Sequence, residues 1–546
     1  MSGESASSAA PTRADEVYPD LYEASVVELQ TGLDAGHFSS VDLVKAYFAR
    51  IDEVNIKGPG LRAVLEVNPS ALAQAAGLDE EREKKRKRSQ LHGIPILLKD
   101  NIATVASEGM NTTAGSYSLV GSVPPEDAGV VKRLRVAGAI ILGKANLSEW
   151  SYFRGARGEL PGGWSARGGQ ATTAYYPHGD ACGSSTGSAI AASIGLAAVT
   201  LGTETDGSII SPSSKNNVVG MKPTVGLTSR AGVIPVSVEQ DSVGPITRSV
   251  ADAAIVLSVI AGPDANDAAT HAQPSSVPDY MGALSRDALR GKRIGVPRCV
   301  YLDPRLSEAD PSVLVAFEAA LDVLRGLGAE VVDPADLPSA DDIYESKNES
   351  IVLGVDGKIG LNEYLAWLKE SPTGVRSLAD IIKFNDENPA LEKPEGFEGQ
   401  SRLISANETS GRDDRYLAAL AFDHKVGRTL GIDAALKNHK LDALVLPSAD
   451  SAWQPAALAG YPVITIPLGF YPDTVSIKLN NGSQTRPVLC APGMPFGITF
   501  FGTAYSEFEL LGFAFAFEQA THARLARRAY PEAIPMTQLR DIVGKE

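Results

Sequence analysis

Apolar and polar positions along the chain fall into two alternating rhythms. Val44, Tyr47, Phe48, Ile51 and Val54 recur at helical spacing behind the candidate N-caps Ser39 and Ser40, which predicts an amphipathic helix. Short apolar runs bounded by glycine or proline follow at 93–98, ending on Lys99, and at 138–143, and both predict strands. Residues 187–202 read as a buried helix of small residues leading into a strand, and 293–332 as strand, helix, strand. The rhythm is lost over 335–440, a charged and helical excursion expected to cover part of the site. It returns as strands at 441–447, 461–469 and 496–502, with a closing amphipathic helix from Ser506 to about Arg528. Helices interleaved with apolar strands predict the α/β class, with a largely parallel or mixed sheet. No linker or repeat divides the chain, so 21–535 is expected to be one large domain. Residues 1–20 are Ser/Ala-rich with no apolar run, which predicts a disordered tail rather than a signal peptide.

Charge and cysteine content narrow the function. With 50 Lys+Arg against 66 Asp+Glu the net charge is −16, the wrong sign for displacing counterions from nucleic acid. The basic end of EEREKKRKR (80–88) reads as a solvated helix end in so acidic a chain. Cys182, Cys299 and Cys490 are too far apart for a disulfide scaffold or a structural zinc site, so no metal or other cofactor is expected, and a reducing, cytoplasmic setting fits. The longest uncharged stretch, 180–204, is broken by Gly183, Gly187, Gly195 and Gly202. Its apolar part falls short of the ~20 residues a membrane span needs.

Several chemistries lack their motifs: HExxH, CxxC, a phosphate-binding G-x-x-x-x-G-K-[ST] and SxxK are all absent. Gly183-Ser184-Ser185-Thr186-Gly187 does match the G-x-S-x-G elbow of α/β-hydrolases, with Ser185 as nucleophile. An elbow must follow a strand, however, and 175–180 is Pro/Gly coil; no later histidine (His271, His424, His439, His522) sits beside a turn motif that would present it.

The informative block lies between His92 and Asp252. Lys99 closes an apolar strand, and two serine-bearing loops follow, Cys182 to Ser188 and Gly202 to Ser208. Alone, such a lysine is a snorkelling surface charge and such loops are caps or turns. Together with Asn111-Thr112-Thr113-Ala114-Gly115-Ser116, Gly143 to Trp150, Gly220 to Gly226, Asp241 to Pro245 and Gly493 to Ile498, they resemble the amidase signature family of serine amide hydrolases. The likeness runs in order over about residues 20 to 530, with wording similar to the peptide amidase branch and its fungal relatives.

The resemblance implies the amidase signature fold, a mixed, twisted sheet covered by helices on both faces, and a Ser–cisSer–Lys triad. In it Ser208 attacks the amide carbonyl, Ser184 passes its proton, Lys99 accepts it, and Ser185 supports the network. It also implies an oxyanion hole from the backbone of Thr205, Asp206, Gly207 and Ser208. Physics sets a demand on the lysine: bringing a pKa of ~10.4 near 7 costs roughly 4–5 kcal/mol, with burial supplying the sign. Asp100 would oppose that shift if it faced the amine, so it is expected to point away. Asp206 and Ile210 depart from the family's usual glycine and arginine, which leaves the anchoring of their loop unexplained. Tyr461 and Phe496 match regions lining the family's substrate channel, or are plain core. The expected partner is a small-molecule or peptide amide, acted on by a monomer or homodimer. Competing readings are the glutaminase component of a tRNA-dependent amidotransferase, an inert family member serving as a binding protein, and the Ser185 esterase.

Overall fold

The apolar runs flanking the family motifs become the centre of a single sheet. The computed structural model describes residues 18–156, 158–306, 309–449, 451–480 and 486–545. Among these, eleven strands join in one sheet: β1 (Val64–Val67), β2 (Pro95–Lys99), β3 (Ile140–Ala145), β4 (Val199–Glu204), β5 (Val219–Lys222), β6 (Ser242–Thr247), β7 (Arg293–Gly295), β8 (Glu330–Val332), β9 (Ala443–Pro447), β10 (Val463–Phe470) and β11 (Pro495–Phe501). Their spatial order is β1-β3-β2-β4-β6-β5-β10-β11-β9-β7-β8. β3, β2 and β4 run parallel, as do β9, β7 and β8, while the pairs between them are antiparallel. The expected α/β fold with a mixed sheet flanked by helices is the one found.

Parallel central strands are covered on both faces, so they read as unbroken apolar runs rather than alternating ones. Ile96, Leu97 and Leu98 of β2, with Ile140, Val199 and Leu201 beside them, are all fully buried. Register then decides where the chemistry goes. Lys99 pairs with Ala145 of β3, and Leu98 with Leu201 of β4, so the three strands end at one edge of the sheet. The carboxyl ends of parallel strands are where α/β sheets place their ligands.

The helix predicted across 187–202 is Thr186–Ser193, buried at every residue. A β-carbon at Gly187 would stand 2.1 Å from the Ala63 carbonyl oxygen, so only glycine lets the helix pack against the sheet here. Two strands lining the site, β5 and β6, were not predicted. β6 carries Pro245 in its middle, opposite Leu201 of β4, and proline ordinarily argues against a central strand. The closing helix also ends early: it runs Glu507–Thr521 and stops where His522 enters the left-handed region at φ +47°.

The excursion at 335–440 is helical, with Asn348–Trp367 as its longest element. Leu361, Tyr364, Leu365, Leu378, Ile381 and Leu403 form a second apolar cluster with Trp150 and Phe153. Of the predicted tail, 1–17 lies outside the described residues; Tyr18 packs on Phe38 with ring centroids 6.4 Å apart. Among the described residues no helix is long and apolar enough to cross a membrane.

Candidate active site

Lys99 sits wholly buried at the carboxyl end of β2. Its Nζ lies 2.6 Å from Ser184 Oγ, 2.8 Å from Thr203 Oγ1 and 3.1 Å from the Thr203 carbonyl oxygen. Burial pushes the amine down to about 7, against the carboxylates of Asp241 and Glu204, which pull it up. The adjacent Asp100 points away as expected. Its carboxylate accepts from Thr113 Oγ1 at 2.5 Å and the Gly115 N–H at 3.0 Å, on the side of Arg167.

Ser184 follows a cis peptide bond from Gly183 and is fully buried. Its carbonyl accepts the Ser148 N–H at 3.1 Å, and a β-carbon on Gly183 would meet Ser148 Oγ at 2.1 Å, so the loop lies tight against 146–150. Ser185 is not presented as an elbow nucleophile would be. Residues 175–184, just before it, form no strand, and its buried hydroxyl donates to the Thr203 carbonyl at 3.0 Å and accepts the Thr203 N–H at 3.2 Å. No histidine hydrogen-bonds to Ser184, Ser185 or Ser208 among the described residues.

The second loop folds as a tight turn after β4. Gly207 takes φ +73°, and a β-carbon there would stand 2.3 Å from Trp453 Nε1, so the indole rests directly on the turn. The Ser185 N–H donates to the Ser208 carbonyl at 3.0 Å, which ties the turn to the Ser184 loop. Ser208 keeps 8% of its surface exposed, and among the described residues its hydroxyl enters no hydrogen bond, that to Ser184 Oγ included. Anchoring comes from Glu204, whose Oε2 accepts the Ile209 N–H at 2.6 Å and the Ile210 N–H at 2.9 Å. This buried carboxyl faces Lys222, whose amine burial pushes down to about 8 and which Asp206 also pulls up. The loop therefore holds without the arginine that Ile210 replaces.

Of the predicted residues, Lys99, Ser184, Ser185 and the 205–208 turn converge. Tyr461 and Phe496 make no hydrogen bond or ring contact with them among the described residues. The Tyr461 hydroxyl donates to Asp433 at 2.7 Å, and the Phe496 ring packs tilted against Tyr471, centroids 5.1 Å apart, in a small apolar cluster. Sequence reasoning did not single out Thr203, Trp453, Asp241, Glu204 and Lys222. Thr203, Glu204, Lys222 and Asp241 all lie within recognised motif blocks, but their contacts depend on how β4, β5 and β6 pair.

Residues 42–511 match the family model for amidase. The chain is a member of the amidase family. It is 42% identical to an amidase homologue of Arthroderma benhamiae, over 93% of this chain and 87% of that one. The crystal structure of native peptide amidase from Stenotrophomonas maltophilia superposes with a TM-score of 0.82 at 43% identity, covering 94% of this chain and 99% of that one. More distantly, this amidase-family chain is 31% identical to a glutamyl-tRNA(Gln) amidotransferase component of Geobacter metallireducens, over 92% of this chain and 98% of the other. Its fold and family are thus those of amide hydrolases.

Proposed function

We propose that the chain is a serine amidase working through an acyl-enzyme on Ser208. Ser208 Oγ attacks the carboxamide carbon, its proton passes to Ser184 Oγ, and the Ser184 proton passes to the neutral amine of Lys99. The C–N bond then breaks, the leaving ammonia or amine takes a proton back along the same relay, and water releases the acid by the same route. Backbone N–H groups of Thr205, Asp206, Gly207 and Ser208 would stabilise the developing oxyanion, each worth ~3–4 kcal/mol. Gly207 has the least to give, because its N–H is also turned towards Glu204. One observation carries this reading: a fully buried amine, pushed down to about 7, lies 2.6 Å from Ser184 Oγ. A neutral amine can accept a proton where an ammonium cannot.

The substrate is a carboxamide, and the likeness to peptide amidase favours the C-terminal amide of a peptide. The domain is taken to span 21–535, with 335–440 as the variable part that shapes the substrate side. In support, Gln240 Nε2 donates to Glu349 of that region at 2.8 Å and lies 3.4 Å from the Thr205 carbonyl oxygen. The enzyme is read as a cytoplasmic monomer or homodimer, in keeping with free thiols at Cys182, Cys299 and Cys490. An amidotransferase component is the weaker reading: over nine-tenths of the chain such relatives reach 31–33% identity, against 42% for the Arthroderma benhamiae relative and 43% for peptide amidase. Release of ammonia from peptide C-terminal amides and aryl amides tests the proposal. Wild type is expected to turn over, and Ser208→Ala to fall to background. Turnover retained in Ser208→Ala, or no hydrolysis of any amide by wild type, would overturn it.

A further inference from the structure

Two carboxylates grip the turn from opposite ends. At the entrance, Asp241 Oδ1 accepts the Thr205 hydroxyl at 2.5 Å, while Oδ2 accepts the N–H groups of Val236 at 2.8 Å and Ser237 at 3.0 Å. At the exit, Glu204 Oε2 accepts the N–H groups of Ile209 and Ile210. Each contact is donated to the carboxylate by a hydroxyl or an amide, which works against the burial that raises both acids above the usual carboxylate range. These are also the two acids whose charge acts on Lys99, whereas Asp100 faces Thr113, Gly115 and Arg167. Thr203 closes the arrangement, since its hydroxyl and carbonyl both take the Lys99 amine one residue before Glu204.

We propose that Asp241 and Glu204 are positioning residues for the reaction, fixing the two ends of the turn that carries Ser208 and supplying the negative charge that Lys99 faces. The inference rests on Lys99 being the base. Geometry and charge are joined in the same two groups, so a change at either should be felt in both. A displacement of about 1 Å at a reacting group can cost ~100-fold in rate. A negative charge near a buried amine raises its titration, the direction in which both acids act on Lys99.

The test is the rate of acylation by a serine-directed fluorophosphonate against pH, alongside kcat and KM on an amide, for full-length Asp241→Asn, Glu204→Gln and Thr205→Val. Wild type should show an acid limb near pH 7. Asp241→Asn and Glu204→Gln are expected to move that limb down by about one pH unit, because an ammonium with less negative charge around it loses its proton more easily. They should also lower kcat by about 10- to 100-fold with KM little changed. Thr205→Val breaks only the grip on the turn, so its kcat should fall while its limb stays in place. Should Asp241→Asn melt early, Glu204→Gln against Thr205→Val makes the same comparison. A limb left at the wild-type position in the carboxamide variants would overturn the proposal, whatever became of kcat. Wild-type enzyme that never acylates at Ser208 would overturn it too, by removing the serine reading beneath it.

Discussion

Lys99→Met is expected to lower kcat/KM by about 10⁴-fold, or roughly 5 kcal/mol of transition-state stabilisation, without unfolding the protein. Methionine fills nearly the same volume, is at home among Ile96, Leu97 and Leu98, and leaves Ser184 with nothing to take its proton. Removing one member of a proton relay costs nearly as much as removing all of it, because the groups act as a unit. The two effects on stability and rate should therefore separate. In wild type the amine has been brought from 10.5 to about 7, which costs on the order of 5 kcal/mol when it is charged. Below pH 7 the folded state must hold a buried ammonium. Between 7 and 10.5 the unfolded chain binds the proton more tightly, and folded stability rises with pH. Lys99→Met escapes that cost, so its melting temperature at pH 6 should equal or exceed that of wild type. Wild-type kcat/KM should rise through about pH 7 to a plateau, and the residual activity of the variant should lack that limb. Near-wild-type turnover by Lys99→Met would count directly against the relay.

The largest stability loss is expected at a buried arginine away from the relay. Arg154 is fully buried, with Nη1 2.6 Å from Glu149 and 3.3 Å from Glu392, and its Nε donates to the Gly399 carbonyl at 3.0 Å. Its guanidinium also lies 5.1 Å from the Trp164 ring centroid. The arginine staples the segment around 392–399 to the stretch that contains Ser148, whose N–H holds the Ser184 carbonyl. Arg154→Ala leaves two buried carboxyls with no cation between them, a loss of ~3–5 kcal/mol. Burial and the neighbouring Glu392 already raise Glu149 to about 8. A raised carboxyl binds its proton more tightly when folded, so its contribution to stability is present at low pH and fades as pH climbs from about 4.5 to 8. The variant should therefore be hurt less at pH 5.5 than at pH 8. Urea unfolding of wild type and Arg154→Ala at both values checks this, and a change below ~1 kcal/mol at pH 8 would contradict it.

The parts of the site that were legible in sequence are those whose signal is local. An apolar strand that ends on a lysine places Lys99 at a sheet edge. The paired serines and the Gly207-Ser208 turn need glycine for close approach, and that need is written in the residues themselves. Partners chosen by register were not legible. Thr203, Glu204 and Asp241 meet the amine or the turn only because β4 pairs with β2 on one side and with β6 on the other. The strand β6 was itself hidden by Pro245. Tyr461 and Phe496 show the opposite difficulty, since an aromatic in an apolar run has the same pattern whether it lines a channel or packs in a core. The closing helix was over-extended because nothing in its periodicity marks the left-handed residue at His522.

The most direct test of the relay is to react the full-length protein with a serine-directed fluorophosphonate and locate the adduct by peptide mass spectrometry. The adduct should fall on Ser208 in wild type and vanish in Lys99→Met. An adduct on Ser185, or one on Ser208 that forms equally fast without the lysine, would contradict the proposed chemistry.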